Sequence, residues 1–243
     1  VQSDKAYGDY DEASMFSYAA ARFVEIIYLS LTHKNEKVVY QAHEWMAGLG
    51  MLHLRKAAPS IATIFTTHAT SIGRSITSNN KQLYKYFHGY NGDQMAEELH
   101  MDAKHSVEKK SAHFADCFTT VSTFTNEECV QLLEKPADVI LPNGFDNAIV
   151  PKGSIFTTKR KAARKNLLRV ASALLGEELS DKIMIVSTSG RNDFRCKGFD
   201  VFLQAMANLN SELQHQSIDT CKTCVLALIE VPCWIKQPRK DLQ

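Results

Sequence analysis

The sequence has almost no net charge: 28 Lys and Arg stand against 27 Asp and Glu, leaving +1 over 243 residues. No global field therefore draws the chain to nucleic acid or to an acidic membrane surface, and any anion must be held by local groups. No uncharged apolar run approaches the ~20 residues that a membrane-crossing helix needs, and the first residues, "VQSDKAYGDYDEAS", lack a basic segment followed by an apolar one. The expectation is a cytoplasmic protein with neither a membrane nor nucleic acid as partner. Internal repeats and low-complexity tracts are absent, and so is the phosphate-binding pattern GxxxxGK followed by Ser or Thr. A zincin is excluded by one residue, because "HEWMA" has Ala47 where HExxH needs its second histidine.

The six cysteines, Cys117, Cys129, Cys196, Cys221, Cys224 and Cys233, are scattered rather than framing a small scaffold, which fits reduced thiols. Only "CKTC", with Cys233 and His215 nearby, could suggest zinc, yet no second CxxC exists and the thiols lead into or flank a strand-like run. Free thiols are expected there, and no metal.

What is present is ordinary globular material, 44% hydrophobic and 23% charged, enough to bury a real core. Asp11 to Leu31 carries apolar groups at helical spacing and reads as a long, mostly buried helix. Strand-like and helical stretches then alternate. "KVVYQAH" precedes the helix "EWMAGLGMLHLRKA"; "IATIFTT" precedes one helix over "DQMAEELHMDAKHSVEKKSAHFA". "CFTTVS" precedes "TNEECVQLLEK", opened by a capping box from Thr125 to Glu128, and "ADVILPNG" follows. Short apolar strands separated by helices specify an α/β fold, a doubly wound parallel sheet with helices on both faces.

The pattern lapses after Gly144 and resumes with a basic helix from Lys159 to Leu175, the strand "KIMIVSTS", the helix "KGFDVFLQAMANLNSEL" and the strand "CVLALIE". The boundary implied near Asp146 divides the chain into residues 1–145 and 146–243. The second part holds about one βαβ unit, too little sheet to close a core alone. Its exposed sheet faces are expected to favour homo-oligomers or disorder unless a partner covers them. With no starting Met and a first helix lacking its preceding strand, the chain reads as the middle of a longer protein.

In "IATIFTTHATSIGRS" a core strand ends in His68 and Arg74, either because it simply leaves the core through a polar loop or because parallel sheets present ligand-binding groups there. Glu44, at the end of the preceding strand, has two readings. It either opens the following helix at the favourable end of its dipole or holds the His68 ring by a hydrogen bond. In "STSGRNDFRCKGFDVF" a strand ends at Gly190 and Arg191, and Lys197 opens a helix. Arg191 and Lys197 are either two solvated cations or, with the N–H groups of the helix terminus, a diphosphate-sized anion site. The basic residues of "KRKAARKNLLR" read as the solvated face of an amphipathic helix, with no aromatic residue between them to stack on bases. Tyr84, Tyr86, Phe87, His88 and Tyr90 are either a packed loop or a sugar-binding surface.

Together these stretches resemble the glycogen synthases, particularly the type shared by eukaryotes and some bacteria. "HEWMAGLG", "ATIFTTHATSIGRS", "CFTTVS", "PNGFD" and "GRNDFRCKGFDVFLQA" match landmarks of that family in order, over nearly all of the chain. The resemblance implies a GT-B fold of two Rossmann-like domains, with residues 1–145 most of the first, lacking its first strands, and residues 146–243 the first part of the nucleotide-sugar-binding second. It implies retaining transfer of glucose from UDP-glucose or ADP-glucose to the 4-hydroxyl of an α-1,4-glucan, with no cofactor. His68 would contact the donor glucose, and Arg191 and Lys197 would neutralise the leaving diphosphate. Glu44, Arg74, Asn143 and Gly190 would line the substrate site, with Glu44 orienting His68. The family's Lys-x-Gly-Gly loop, its Glu-x7-Glu pair and its regulatory arginine cluster have no match, so the chain alone is expected to be inactive. Another retaining GT-B glucosyltransferase and a non-catalytic sugar- or nucleotide-binding module are the alternatives.

Overall fold

The computed structural model describes residues 1–30, 36–215, 225–234 and 236–237. The chain divides into two compact units, Val1–Gly144 and Phe145–Gln243. The fold class is the expected one, α/β with parallel sheets.

The first unit runs α1 (Tyr10–Ser30), β1 (Val39–His43), α2 (Glu44–Ala57), β2 (Ala62–Thr67), α3 (Ser71–Ser78), α4 (Gly92–Glu98), α5 (Asp102–Phe114), β3 (Cys117–Thr120), α6 (Thr123–Leu133) and β4 (Val139–Ile140). Its four strands are parallel and ordered β1-β2-β3-β4, so every strand delivers its carboxyl end to the same edge. Ala42, Phe65 and Phe118 are register partners in a row across the sheet, and Met51, Ala112, Cys129 and Leu133 of α2, α5 and α6 bury that row. The opposite face carries a polar ladder, in which Gln41 donates to Thr66 and the Thr66 and Thr119 hydroxyls meet at 2.8 Å.

Helix α1 covers α2 with one face only. Gly50 permits the contact, because a Cβ there would lie 2.2 Å from the Ser17 carbonyl oxygen, and its N–H donates to Ser17 Oγ at 2.7 Å. Ala21 joins Leu54, Ala58 and Ile61 on that face, while Met15, Phe16, Phe23, Ile26 and Leu29 remain exposed. The expectation of a mostly buried helix is therefore corrected: helical spacing identifies what can be buried, and α1 has a partner on one side.

Three local expectations also change. A helix, α3, follows the short segment after His68, capped by Thr70 Oγ1 accepting from Gly73 N, where a polar loop is one reading of the sequence. The long helix after residue 92 is broken into α4 and α5 at His100, which adopts φ 55°. The cap of α6 is Ser122, accepting from Thr125 N, so Thr125 to Glu128 is not its capping box and Glu128 is free for another use.

The second unit comprises α7 (Gly153–Leu175), β5 (Met184–Ser189), α8 (Phe199–His215) and β6 (Val225–Glu230), with β5 and β6 parallel in register from Met184↔Val225 to Ser189↔Glu230. Helix α7 starts six residues before the expected Lys159 and stops at Gly176, which takes φ 72°. Its core is small: Leu168, Ala171, Leu179, Ile183 and Leu226. Arg164, expected to be solvated, donates instead to the backbone carbonyls of Asp181 and Ile183, tying α7 to the segment that leads into β5.

Candidate functional site

At the carboxyl edge of the first sheet, β1 passes into α2 with no loop between them. The chain reverses at Glu44, which takes φ 63°, a left-handed conformation that is strained for a side chain of this size. The turn aims the carboxylate at the end of the neighbouring strand. Glu44 Oε1 accepts from the backbone N–H of His68 at 3.3 Å and from Arg74 Nη2 at 3.4 Å. The His68 ring is held by a different group, His43, whose Nδ1 lies 3.0 Å from His68 Nε2 with ring centroids 5.3 Å apart. The reading in which Glu44 bonds the His68 ring is thus corrected: Glu44 fixes the backbone, and the imidazole partner is the last residue of β1. Nothing in the sequence marks His43 for this except its position, one residue before Glu44 and opposite Thr66 in the register.

His68 is half-buried and Arg74 exposed, so both face the edge rather than a closed core. One of the two histidines donates and the other accepts. With Nε2 engaged, His68 keeps Nδ1 for other partners. Beside this pair a pocket of about 330 Å³ is lined by Glu44, Trp45, Ser71, Arg74 and Lys104, among others. Lys104 pairs with Asp9, whose carboxyl is lowered by that hydrogen bond, and its Nζ lies 4.9 Å from the Trp45 ring centre.

Gly73 is required where it stands. A Cβ on it would meet Thr70 Oγ1 at 2.4 Å and Glu128 Oε2 at 3.0 Å. Asn143 lies three residues beyond β4, in an exposed segment that leaves the sheet by the same edge, two strands away from β2. The structure therefore brings Glu44, His68 and Arg74 into direct contact, adds His43, and leaves Asn143 on the same edge but outside that group.

In the second unit Gly190 follows β5 and donates to Glu230 O at 3.1 Å. The stem of Lys197 folds over it, so that a Cβ at Gly190 would meet Lys197 Cγ at 3.1 Å. Arg191 and Lys197 are both exposed. The helix α8 begins at Phe199, after Gly198 in the left-handed region at φ 68°. The N–H groups of Lys197, Gly198 and Phe199 already donate to Asp193, Arg195 and Phe194 carbonyls. The tight turn uses these three amides, so any help to an anion from the helix terminus would come from the next amides of α8, beside the two side-chain cations.

Among the described residues, no cluster of His, Cys, Asp or Glu is placed to hold a metal ion, and no helix is long and apolar enough to cross a membrane. Cys221 and Cys224 of "CKTC" lie outside the described residues. Cys129 is buried and its thiol is pushed up by that burial.

The family model for glycogen synthase matches residues 2–237. The chain is 32% identical over 234 residues to a glycogen [starch] synthase of Dictyostelium discoideum, covering 91% of this chain and 25% of that protein. It is 31% identical over 229 residues to that of Neurospora crassa, covering 91% and 31%, and 34% identical over 188 residues to the human liver protein, covering 75% and 26%. The chain thus spans between a quarter and a third of the length of these curated relatives. A match running from residue 2 to residue 237, through both units and every motif at the sheet edges, makes this chain a member of the glycogen synthase family.

Proposed function

We propose that this chain is the central part of a retaining glucosyltransferase that moves glucose from UDP-glucose or ADP-glucose to the 4-hydroxyl of an α-1,4-glucan. In that reading Val1–Gly144 is most of the N-terminal Rossmann-like domain and Phe145–Gln243 the start of the C-terminal, nucleotide-sugar-binding one of a GT-B fold. The observation that carries it is the placement of His68 at a carboxyl edge, with its backbone held by Glu44 and its ring by His43, in a chain that belongs to the family. Glucosyl transfer develops positive charge at the sugar and negative charge on the departing diphosphate. A preorganised imidazole answers the first, and Arg191 with Lys197 answers the second. Arg74, Asn143 and Gly190 are the substrate-contacting residues of this reading. Resident metal or cofactor has no part in it.

The test uses the full-length parent protein, labelled UDP-glucose and ADP-glucose, and a glucan primer. Incorporation as amylase-sensitive α-1,4 linkages is expected from one donor, with His68→Ala or Lys197→Ala each lowering kcat by ~10²-fold or more. Absence of transfer from either donor would overturn the reading. The present chain alone is expected to incorporate nothing, since transfer needs donor and acceptor held together at near-attack distance.

A further inference from the structure

The segment between β2 and α3 is three residues long, His68, Ala69 and Thr70, and two buried carboxylates hold its ends. From α5, Glu108 has no exposed surface. Its Oε1 accepts from Thr67 Oγ1 at 2.9 Å, and its Oε2 accepts from Ser71 N at 2.7 Å and Ser71 Oγ at 2.6 Å. From α6, Glu128 accepts from Thr70 Oγ1 at 2.8 Å and from the Tyr84 hydroxyl at 2.6 Å. Thr67, Thr70 and Ser71 are thereby tied to two different helices, and His68 lies between the ties.

Burying a carboxylate costs several kcal/mol of lost hydration unless hydrogen bonds replace it, and a helix that only had to cover a sheet would carry an apolar residue at these positions. Here Glu108 spends all three of its bonds on the two ends of the loop that presents His68, and Glu128 divides its two between Thr70 of that loop and Tyr84. The hydroxyls and the Ser71 N–H converge on oxygens whose positions are set by the packing of α5 and α6, so the loop inherits the rigidity of those helices.

We propose that Glu108 and Glu128 are positioning residues that clamp the loop between β2 and α3 and so fix the His68 imidazole against His43. The role in turnover rests on the reading of His68 as the transfer residue; the clamp on its ring does not.

The test compares Glu108→Gln and Glu128→Gln in the full-length protein, each alone and combined with His68→Ala. Displacing a reacting group by an ångström costs up to ~10²-fold, so each single variant should lower kcat ~10- to 10²-fold while KM for the sugar nucleotide stays within about 2-fold. In the His68→Ala background the same change should cost less than about 2-fold, because the group it positions is gone. An equal loss in both backgrounds would overturn the proposal. Where a glutamate variant fails to fold, Thr70→Val removes the loop's bond to Glu128 and Ser71→Ala one of the three bonds to Glu108. A readout independent of activity is the rate of carbethoxylation of His68 by diethyl pyrocarbonate, followed by peptide mass spectrometry with the exposed His215 of the second unit as internal reference. That rate should rise at His68 and hold at His215. An unchanged His68 rate refutes the clamp even if the wild-type protein proves to transfer no glucose, whereas that failure of transfer alone refutes only the proposed function.

Discussion

In the first unit Met51, Leu54, Phe65 and Phe118 have no exposed surface, whereas in the second α8 buries only Phe199 and leaves Val201 and Leu203 in solvent. The two units are built from the same βαβ grammar, with helices of comparable amphipathic pattern. What separates them is the number of strands beside each helix. Three of the four parallel strands supply the continuous row Ala42, Phe65 and Phe118 for three helices to share, while β5 and β6 offer Leu226 with the half-buried Ile185 and Leu228. A helical stripe states which residues can be buried, and the neighbouring elements decide how many are.

The largest effect expected from this contrast is in the cores. Phe118→Ala should cost ~3–5 kcal/mol in urea denaturation followed by signals from the first unit, because it leaves a cavity in the buried row. Phe199→Ala should cost clearly less, since its surroundings are open enough to relax. Equal costs would show that the second unit is packed as firmly as the first.

The next effect is electrostatic and confined to the first unit. Burial pushes Glu108 up to about 7 from its ordinary 4.5, against the pull of the Ser71 and Thr67 donors, with the Glu44 charge adding to the rise. Because the folded-state value is the higher one, the stabilisation is full below about pH 4.5 and lost as the pH rises through about 7. Each unit of pKa difference is worth about 1.4 kcal/mol. A denaturation series between those pH values should therefore show the first unit losing stability, and Glu108→Gln should flatten the slope. Asp93, Asp116 and Asp138 act oppositely: their carboxyls are lowered, so their contribution is present above the ordinary aspartate range and fades as the pH falls through their folded values.

Two glycines at the candidate sites sharpen the comparison further. Gly73→Ala must move Thr70 or Glu128 and should cost ~1–3 kcal/mol. Gly190→Ala meets only the flexible stem of Lys197 and should stay within about 0.5 kcal/mol. The smallest contrast lies on α7. Arg164→Ala should cost about 1 kcal/mol through its two carbonyl partners, while the exposed Lys161→Ala should leave the midpoint unchanged.

Much of the fold was legible because its signals are local. Runs such as "IATIFTT" and the lapse after Gly144 locate strands and the division between units. His68 was legible as a residue at a strand end. What holds it was not, since the partner of its ring depends on the register of β1 against β2, which brings His43 opposite Thr66. Glu108 and Glu128 carry a faint signal: Val107, Glu108, Ser111 and Ala112 share one buried stripe of α5, and a carboxylate on such a stripe needs donors from elsewhere. Helix α3 escaped because "SIGRSITS" has few apolar residues, and its start depends on a single capping hydroxyl.

The direct passage from β1 to α2 at His43 and Glu44 also governs how the length of this segment can change. One residue inserted between them would have no loop to absorb it and would displace the left-handed turn at Glu44. The contacts that depend on that turn, Trp45 on Tyr10, Gly50 on Ser17 and His43 on His68, would be loosened together. Length variation between proteins built on this plan should therefore be absent at the His43–Glu44 junction.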